Sequence, residues 1–106
     1  MRISNHEVFA PLISVTPYTD VSEAIHAVDQ SDFGLQAGLF TRDMNIVRDA
    51  FQDIEVGGLI VNDVPTYRID HMPYGGVKHS GFGREGLRYA IEELTEIKLL
   101  ALNYRS

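Results

Sequence analysis

Arg68 is a candidate for binding an anionic group. It is the only Lys or Arg in the polar segment Asn62–His71, and Tyr67 precedes it. A guanidinium presents a planar fork of N–H donors that can pair with a carboxylate or a phosphate through two parallel hydrogen bonds. The same fork could instead pair within the segment, with Asp63 or Asp70, and the sequence leaves both alternatives open.

A second candidate is the glycine pattern formed by Gly81, Gly83 and Gly86, directly before a helical stretch. Its spacing, Gly-x-Gly-x-x-Gly, is also that of the turns that bind the pyrophosphate of a dinucleotide at a helix N-terminus. Those turns follow a strand, and an acidic residue stands about twenty positions further on, at the end of the next strand. Here a turn-rich loop precedes the glycines, and about twenty positions after them the sequence has run out. The context therefore favours tight turns and close helix packing.

Other catalytic chemistries find little support in the sequence. The four histidines, at positions 6, 26, 71 and 79, are dispersed and show no metal-ligand spacing, so no metal site is predicted. A Ser/His/Asp hydrolase would need a Gly-x-Ser-x-Gly turn, which is absent. The sequence contains no cysteine, which excludes disulfides, thiolate metal sites and a thiol nucleophile within these 106 residues.

Composition places the chain among ordinary globular proteins. Apolar residues make up 44% and charged residues 23%, which is too apolar for a disordered protein. The formal net charge is −6 and the basic residues are scattered, so nucleic acid is not expected as a partner. No window has the apolar length of a membrane span or of a secretory signal, and we expect a soluble, cytoplasmic protein with one core.

The elements that must position these residues follow from hydrophobic periodicity. Pro11–Tyr18 is typical of a short buried strand. Asp20, with Glu23 three residues later, has the capping-box spacing that predicts the start of a helix. Apolar residues at helical spacing recur after Asp43 and again from Leu87, which predicts two further helices.

Strands are expected between and after these helices, at Gln36–Thr41, at Gly57–Val61 and at Ile97–Tyr104. The loop Asn62–Gly86 between them is long enough to suggest a functional role. Strands separated by helices of this length favour βαβ units and a parallel sheet. The predicted fold is therefore α/β, a small mostly parallel sheet with three helices, in the order βαβαβ, long loop, helix and C-terminal strand.

Three blocks of sequence resemble those of the NAD(P)-dependent aldehyde dehydrogenase family. They are Glu7-Val-Phe-Ala-Pro11, the stretch Met72–Gly86, which reads MPYGGVKHSGFGREG, and Thr95-Glu-Ile-Lys98. Their order and spacing are similar to those in the C-terminal part of that family's catalytic domain. The resemblance implies that residues 1–106 correspond to this part, with an oligomerisation strand at about residues 95–106, and that the nucleotide-binding domain is absent.

The resemblance also implies candidate site residues. Glu7 would hydrogen-bond a ribose of the cofactor, and Phe9 would lie against its nicotinamide end. Tyr67 and Tyr74 would line the entrance for the aldehyde. The segment around Arg68 is similar to that of members acting on small, negatively charged or hydroxylated aldehydes.

The function implied by the resemblance is oxidation of an aldehyde to an acid with NAD or NADP. Family members use a cysteine nucleophile, so we expect no catalytic residue in this chain, no activity from it alone and no cofactor bound to it alone. The implied partner is a second copy, paired through Ile97–Leu102, or a separately encoded N-terminal enzyme segment. The alternative is a non-catalytic interaction module with the same fold and the same oligomerising strand.

Overall fold

The computed structural model describes residues 8–104 and confirms the α/β class with three helices. The described residues form three helices and four short strands, and the strands make two separate two-stranded sheets. The elements in chain order are α1 Val21–Asp29, β1 Phe33–Gly34, β2 Gln36–Leu39, α2 Met44–Asp53, β3 Gly58–Val61, β4 Val77–Lys78 and α3 Leu87–Glu93.

The first two helices begin where aspartates cap them, as the sequence predicts. The Asp20 carboxylate accepts a hydrogen bond from the Ser22 amide at 2.8 Å, and Asp43 accepts one from the Asn45 amide at 2.8 Å. Each bond satisfies an amide that has no partner inside its helix. Helix α3 follows Gly86 instead, whose φ of 117° is a conformation that side chains disfavour, and it has no side-chain cap.

The larger sheet is a parallel pair of β2 and β3, connected through α2. Its register pairs Gln36 with Gly58 and Leu39 with Val61. This βαβ unit confirms the second of the two units predicted from the sequence. It also places the long loop that follows β3 directly after a strand end.

The smaller sheet is an antiparallel pair that the sequence did not indicate. Phe33 pairs with Lys78 and Gly34 with Val77, which joins β1 to β4 inside the long loop. The Ser80 hydroxyl supports the pairing by accepting a hydrogen bond from the Gly34 amide at 2.9 Å. Two residues are too few for an alternating pattern, so this strand pair left no periodic signal.

The two terminal strands that the sequence predicts, Pro11–Tyr18 and Ile97–Tyr104, are not formed. Both segments are irregular and exposed, with Ile13 at 89% and Ile97 at 101% of full exposure. A strand exists only where a second strand takes up its backbone N–H and C=O groups, and residues 8–104 supply none for either segment. Within this chain the described residues therefore do not form the first predicted βαβ unit or the C-terminal strand.

The core expected for a chain of this length is almost missing. Within residues 8–104, only Ile25 and Ala50 are buried apolar residues, where α1 packs on α2. The chain exposes 9584 Å², whereas a folded monomer of this size is expected to expose about 6,000 Å². Its radius of gyration is 19.3 Å, against about 13 Å for a compact domain of this length. Much of the apolar surface thus has no cover within the chain.

The helices in the described part of the chain are short, and none of them is both long and apolar enough to cross a membrane.

Candidate functional site

The candidate site is built on a backbone bridge between the two arms of the glycine-rich loop. The Tyr74 amide donates to the Glu85 carbonyl at 3.0 Å, and the Glu85 amide donates back to the Tyr74 carbonyl at 2.6 Å. These reciprocal bonds form an isolated antiparallel bridge. They hold the Glu85 side chain close to the Tyr74 ring although eleven positions separate the two residues.

Arg68 joins this bridge from a different part of the loop. Its guanidinium carbon lies 4.2 Å from the centroid of the Tyr74 ring, within the range of a cation–π interaction. Its Nη2 donates to Oε2 of Glu85 at 2.8 Å. The side chains of Arg68 and Glu85 are 45% and 66% exposed, so the pair is solvated. We call Arg68, Tyr74 and Glu85 the Arg68 cluster.

The sequence left open an ion pair of Arg68 with Asp63 or Asp70, and the structure shows a different partner. Asp63 accepts a hydrogen bond from the next amide, that of Val64, at 2.7 Å, and the ion pair of Arg68 is with Glu85 instead of Asp63 or Asp70. Glu85 is 17 positions further along the chain, and only the bridge to Tyr74 brings it into reach. Sequence proximity alone could not have indicated this partner.

The remaining predicted site residues are less closely associated with the cluster. Tyr67 lies in a turn in which its amide donates to the Val64 carbonyl at 3.0 Å, and it is 43% exposed. Phe9 is 95% exposed in the irregular N-terminal segment. Glu7 lies outside the described residues. The cofactor contacts expected from Glu7 and Phe9 therefore stay predictions.

Arg84 is an organising residue of the loop that sequence reasoning missed. Its guanidinium donates to the Gly76 and Gly83 carbonyls at 3.0 and 2.7 Å, and its amide donates to Oε1 of Glu93 at 3.2 Å. A shallow cavity of about 190 Å³ lies between this loop and the cluster, lined in part by Tyr74 and Glu85. The two carbonyls belong to glycines seven positions apart, and no local sequence pattern indicates that one side chain binds both.

The Gly81, Gly83 and Gly86 pattern has the structural role that its context favours. All three glycines have positive φ, at 118°, 75° and 117°, so each makes a turn that other residues disfavour. The Glu93 carboxylate occupies the concave side, where a Cβ on Gly83 would lie 2.9 Å from its Oε1. The Arg84 amide of this loop donates to the same carboxylate, so Glu93 binds the loop from within the chain.

A second ionic cluster connects three elements away from the site. Lys78 Nζ donates to Oδ1 of Asp29 at 2.9 Å, and the same oxygen accepts the Glu55 amide at 2.9 Å. The Glu55 amide, followed by Lys78, lowers the pKa of the Asp29 carboxyl below its ordinary value. The Lys78 ammonium lies at the C-terminal end of α1, where the helix dipole makes a positive charge favourable. This cluster holds α1 to β4 and to the segment before β3.

Within residues 8–104, no group of three or more histidine or acidic side chains is arranged to hold a metal ion.

Comparison with known proteins gives the same family throughout. The aldehyde dehydrogenase family model matches residues 1–100. The 3-sulfolactaldehyde dehydrogenase of Priestia aryabhattai is 54% identical over 103 residues, which are 97% of this chain and 22% of that protein. The chain thus spans about a fifth of the length of the curated relatives that it matches.

Two solved structures extend the agreement to the fold. The salicylaldehyde dehydrogenase from Pseudomonas putida G7, complexed with salicylaldehyde, is 34% identical with a TM-score of 0.82, and the match covers 98% of this chain and 22% of that one. The glyceraldehyde-3-phosphate dehydrogenase from Methanocaldococcus jannaschii, complexed with NADP, is 42% identical with a TM-score of 0.72, over 76% of this chain and 18% of that one. The chain therefore belongs to the aldehyde dehydrogenase family.

Proposed function

We propose that this chain is the C-terminal part of the catalytic domain of an NAD(P)-dependent aldehyde dehydrogenase, and that it supplies one wall of the aldehyde entrance. The reaction of the whole enzyme is oxidation of an aldehyde to an acid. The observation that carries the proposal is the Arg68 cluster, in which Arg68 contacts Tyr74 and Glu85, two residues that line a cavity, in a chain of this family.

The substrate that fits this entrance is a small aldehyde with an anionic group. The Arg68 side chain is 45% exposed, and a guanidinium binds sulfonate, carboxylate or phosphate oxygens through charge-assisted hydrogen bonds. The rings of Tyr74 and Tyr67 would pack against the carbon chain of the aldehyde. The relative that is 54% identical is a 3-sulfolactaldehyde dehydrogenase, whose substrate bears a sulfonate and a hydroxyl group.

The cofactor would touch this chain only at its N-terminal end. Phe9, which is 95% exposed, presents a ring face that could shield a nicotinamide from water, and Glu7 would bind a ribose hydroxyl. One amide of the glycine-rich loop, that of Arg84, is bound by Glu93, and the pyrophosphate contacts would come from outside these residues. We propose that the chain alone binds neither NAD nor NADP tightly.

The catalytic thiol would also come from outside these 106 residues, because they contain no cysteine. The isolated chain is therefore proposed to be inactive.

Its apolar C-terminal segment, residues 95–104, would pair with another copy or with the rest of the enzyme. The cytoplasmic location also remains a prediction.

A second candidate function is favoured by that same exposed segment. Ile97, Leu99 and Leu100 are 101%, 87% and 78% exposed, which is typical of a surface that binds a protein. A non-catalytic interaction module would keep this segment and would have no use for Arg68. The two candidates are separated by whether Arg68 affects the oxidation of an anionic aldehyde.

The experiment replaces the matched 103-residue stretch of the Priestia aryabhattai enzyme with this chain, which gives a full-length protein that we call the hybrid enzyme. We expect it to reduce NAD+ or NADP+ with 3-sulfolactaldehyde, followed by the absorbance of the reduced cofactor. The control is the same enzyme without the replacement. A soluble hybrid with an occupied cofactor site but no turnover would contradict the proposed function.

A further inference from the structure

Arg68 is held from two sides before any ligand arrives. The Tyr74 ring lies 4.2 Å from the guanidinium carbon, and Glu85 accepts a hydrogen bond from Nη2 at 2.8 Å. The backbone bridge between Tyr74 and Glu85 fixes these two supports relative to each other. The guanidinium plane therefore has a defined position and orientation.

Glu85 uses only a small part of the hydrogen-bonding capacity of Arg68. A guanidinium has five N–H donors, and the ion pair with Glu85 is made through Nη2 alone. The donors on Nε and Nη1 remain able to bind an anionic group without displacement of Glu85. Since the Arg68 side chain is 45% exposed, such a group can reach them.

Glu85 could therefore act in either of two opposite ways. It could compete with the anionic group of a ligand, or it could hold Arg68 in the orientation that the ligand needs. The carboxylate is 66% exposed, so solvent and salt screen its repulsion of a ligand anion. A long side chain that is already ordered loses less freedom on binding. These two arguments both favour the orienting role.

We propose that Glu85 is a positioning residue for substrate recognition, which orients Arg68 towards the anionic group of the aldehyde. The inference rests on the proposed function and names the residue that makes its anion recognition effective. In this role Glu85 acts on the substrate through Arg68, so its removal should weaken binding of the anionic aldehyde and should affect binding of a neutral aldehyde much less.

The test uses the hybrid enzyme with 3-sulfolactaldehyde and lactaldehyde, two aldehydes that differ only in the sulfonate. The readout is the ratio of their KM values, because a change in kcat or in folding that both aldehydes share does not alter it. We expect Glu85→Gln to raise the KM for 3-sulfolactaldehyde about twofold to fivefold, and that for lactaldehyde less than about twofold.

A double-mutant cycle shows whether the effect passes through Arg68. Arg68→Met is expected to raise the KM ratio by at least about tenfold, because it removes a charged hydrogen-bond donor. Adding Glu85→Gln to Arg68→Met is expected to change the ratio no further. The matched control is Glu92→Gln. It removes the ion pair between Glu92 and Arg88 on α3, whose length of 2.8 Å equals that of the Arg68–Glu85 pair, and it should leave both KM values unchanged.

Four results would overturn the inference that Glu85 positions Arg68. An equal change in KM for both aldehydes would assign Glu85 a general role and leave the proposed function standing. A lower KM for 3-sulfolactaldehyde would make Glu85 a competitor of the ligand, and an undiminished effect in the Arg68→Met background would separate it from Arg68. A hybrid enzyme that oxidises no aldehyde would overturn the proposed function together with this inference. If Glu85→Gln is insoluble, Glu85→Asp, which shortens the reach to Arg68, should shift the ratio in the same direction.

Discussion

The backbones of Gly57 and Gly75 pass so close together that a Cβ added to Gly57 would lie 1.6 Å from the Gly75 carbonyl oxygen. Gly57 also donates its amide to the Gly34 carbonyl at 3.0 Å. The contact brings the residue before β3 against the loop that carries Tyr74. The position of the Arg68 cluster thus depends on a residue without a side chain.

Substitution of Gly57 by alanine is expected to destabilise the hybrid enzyme strongly. The added methyl group meets backbone atoms, which cannot move aside as a flexible side chain can, so we expect a loss of about 3 kcal/mol or more in the free energy of unfolding. The thermal unfolding midpoint and the soluble yield measure the effect.

The matched control for that substitution is Gly58→Ala at the next position. A Cβ on Gly58 would come no nearer than 3.2 Å to the end of the Gln36 side chain, which can turn away. We expect Gly58→Ala to be close to neutral. Equal unfolding midpoints for the two variants would show that the close approach to Gly75 is not required.

The Asp29 cluster predicts a pH-dependent contribution to stability. The amide of Glu55 and the ammonium of Lys78 keep the pKa of Asp29 below its ordinary value of 3.8. A lowered carboxyl pKa stabilises the folded state above the ordinary value, and the contribution is lost as the pH falls through the lower folded value.

Asp29→Asn is therefore expected to lower the urea midpoint of the hybrid enzyme at pH 7, and the difference from the parent should shrink below the ordinary pKa of 3.8. The control is Asp49→Asn, because Asp49 and its partner Arg48 are 51% and 62% exposed. A difference for Asp29→Asn that persists unchanged at the lowest pH would contradict a role for the ionised carboxylate.

Local sequence signals account for the helices and for the β2–β3 unit. Asp20 and Asp43 mark helix starts because a capping side chain acts within two or three residues. The Arg68–Glu85 pair and the β1–β4 strands come from contacts between distant parts of a loop without periodicity, which local patterns do not encode. The family resemblance supplied the candidate residues Glu7, Phe9, Tyr67 and Tyr74. The contacts of Glu85 and Arg84 were identified only from the structure.

The two terminal segments lack strand structure in this chain for a different reason. Their composition suits buried strands, but residues 8–104 hold no strand to pair with them. Exposed apolar segments of this kind associate in solution. We therefore expect the isolated chain to form dimers or larger species through Ile97–Leu102.

Light scattering at micromolar concentration would measure that association. Leu100, at 78% exposure, lies in the centre of the segment, and Leu100→Lys is expected to shift the isolated chain towards the monomer or into aggregation. Asn103→Lys adds the same charge at the exposed polar position directly after this segment and should leave the mass of the associated species unchanged. A stable monomer of the unmodified chain would contradict this use of the segment.

We propose that this chain is one part of an aldehyde dehydrogenase and needs the rest of the enzyme for catalysis. The most direct test is the rate of NAD+ or NADP+ reduction with 3-sulfolactaldehyde, measured for the isolated chain beside an equal molar amount of the hybrid enzyme. We expect turnover by the hybrid enzyme and none by the isolated chain above a buffer blank. Turnover that copurifies with the isolated 106-residue chain would contradict it.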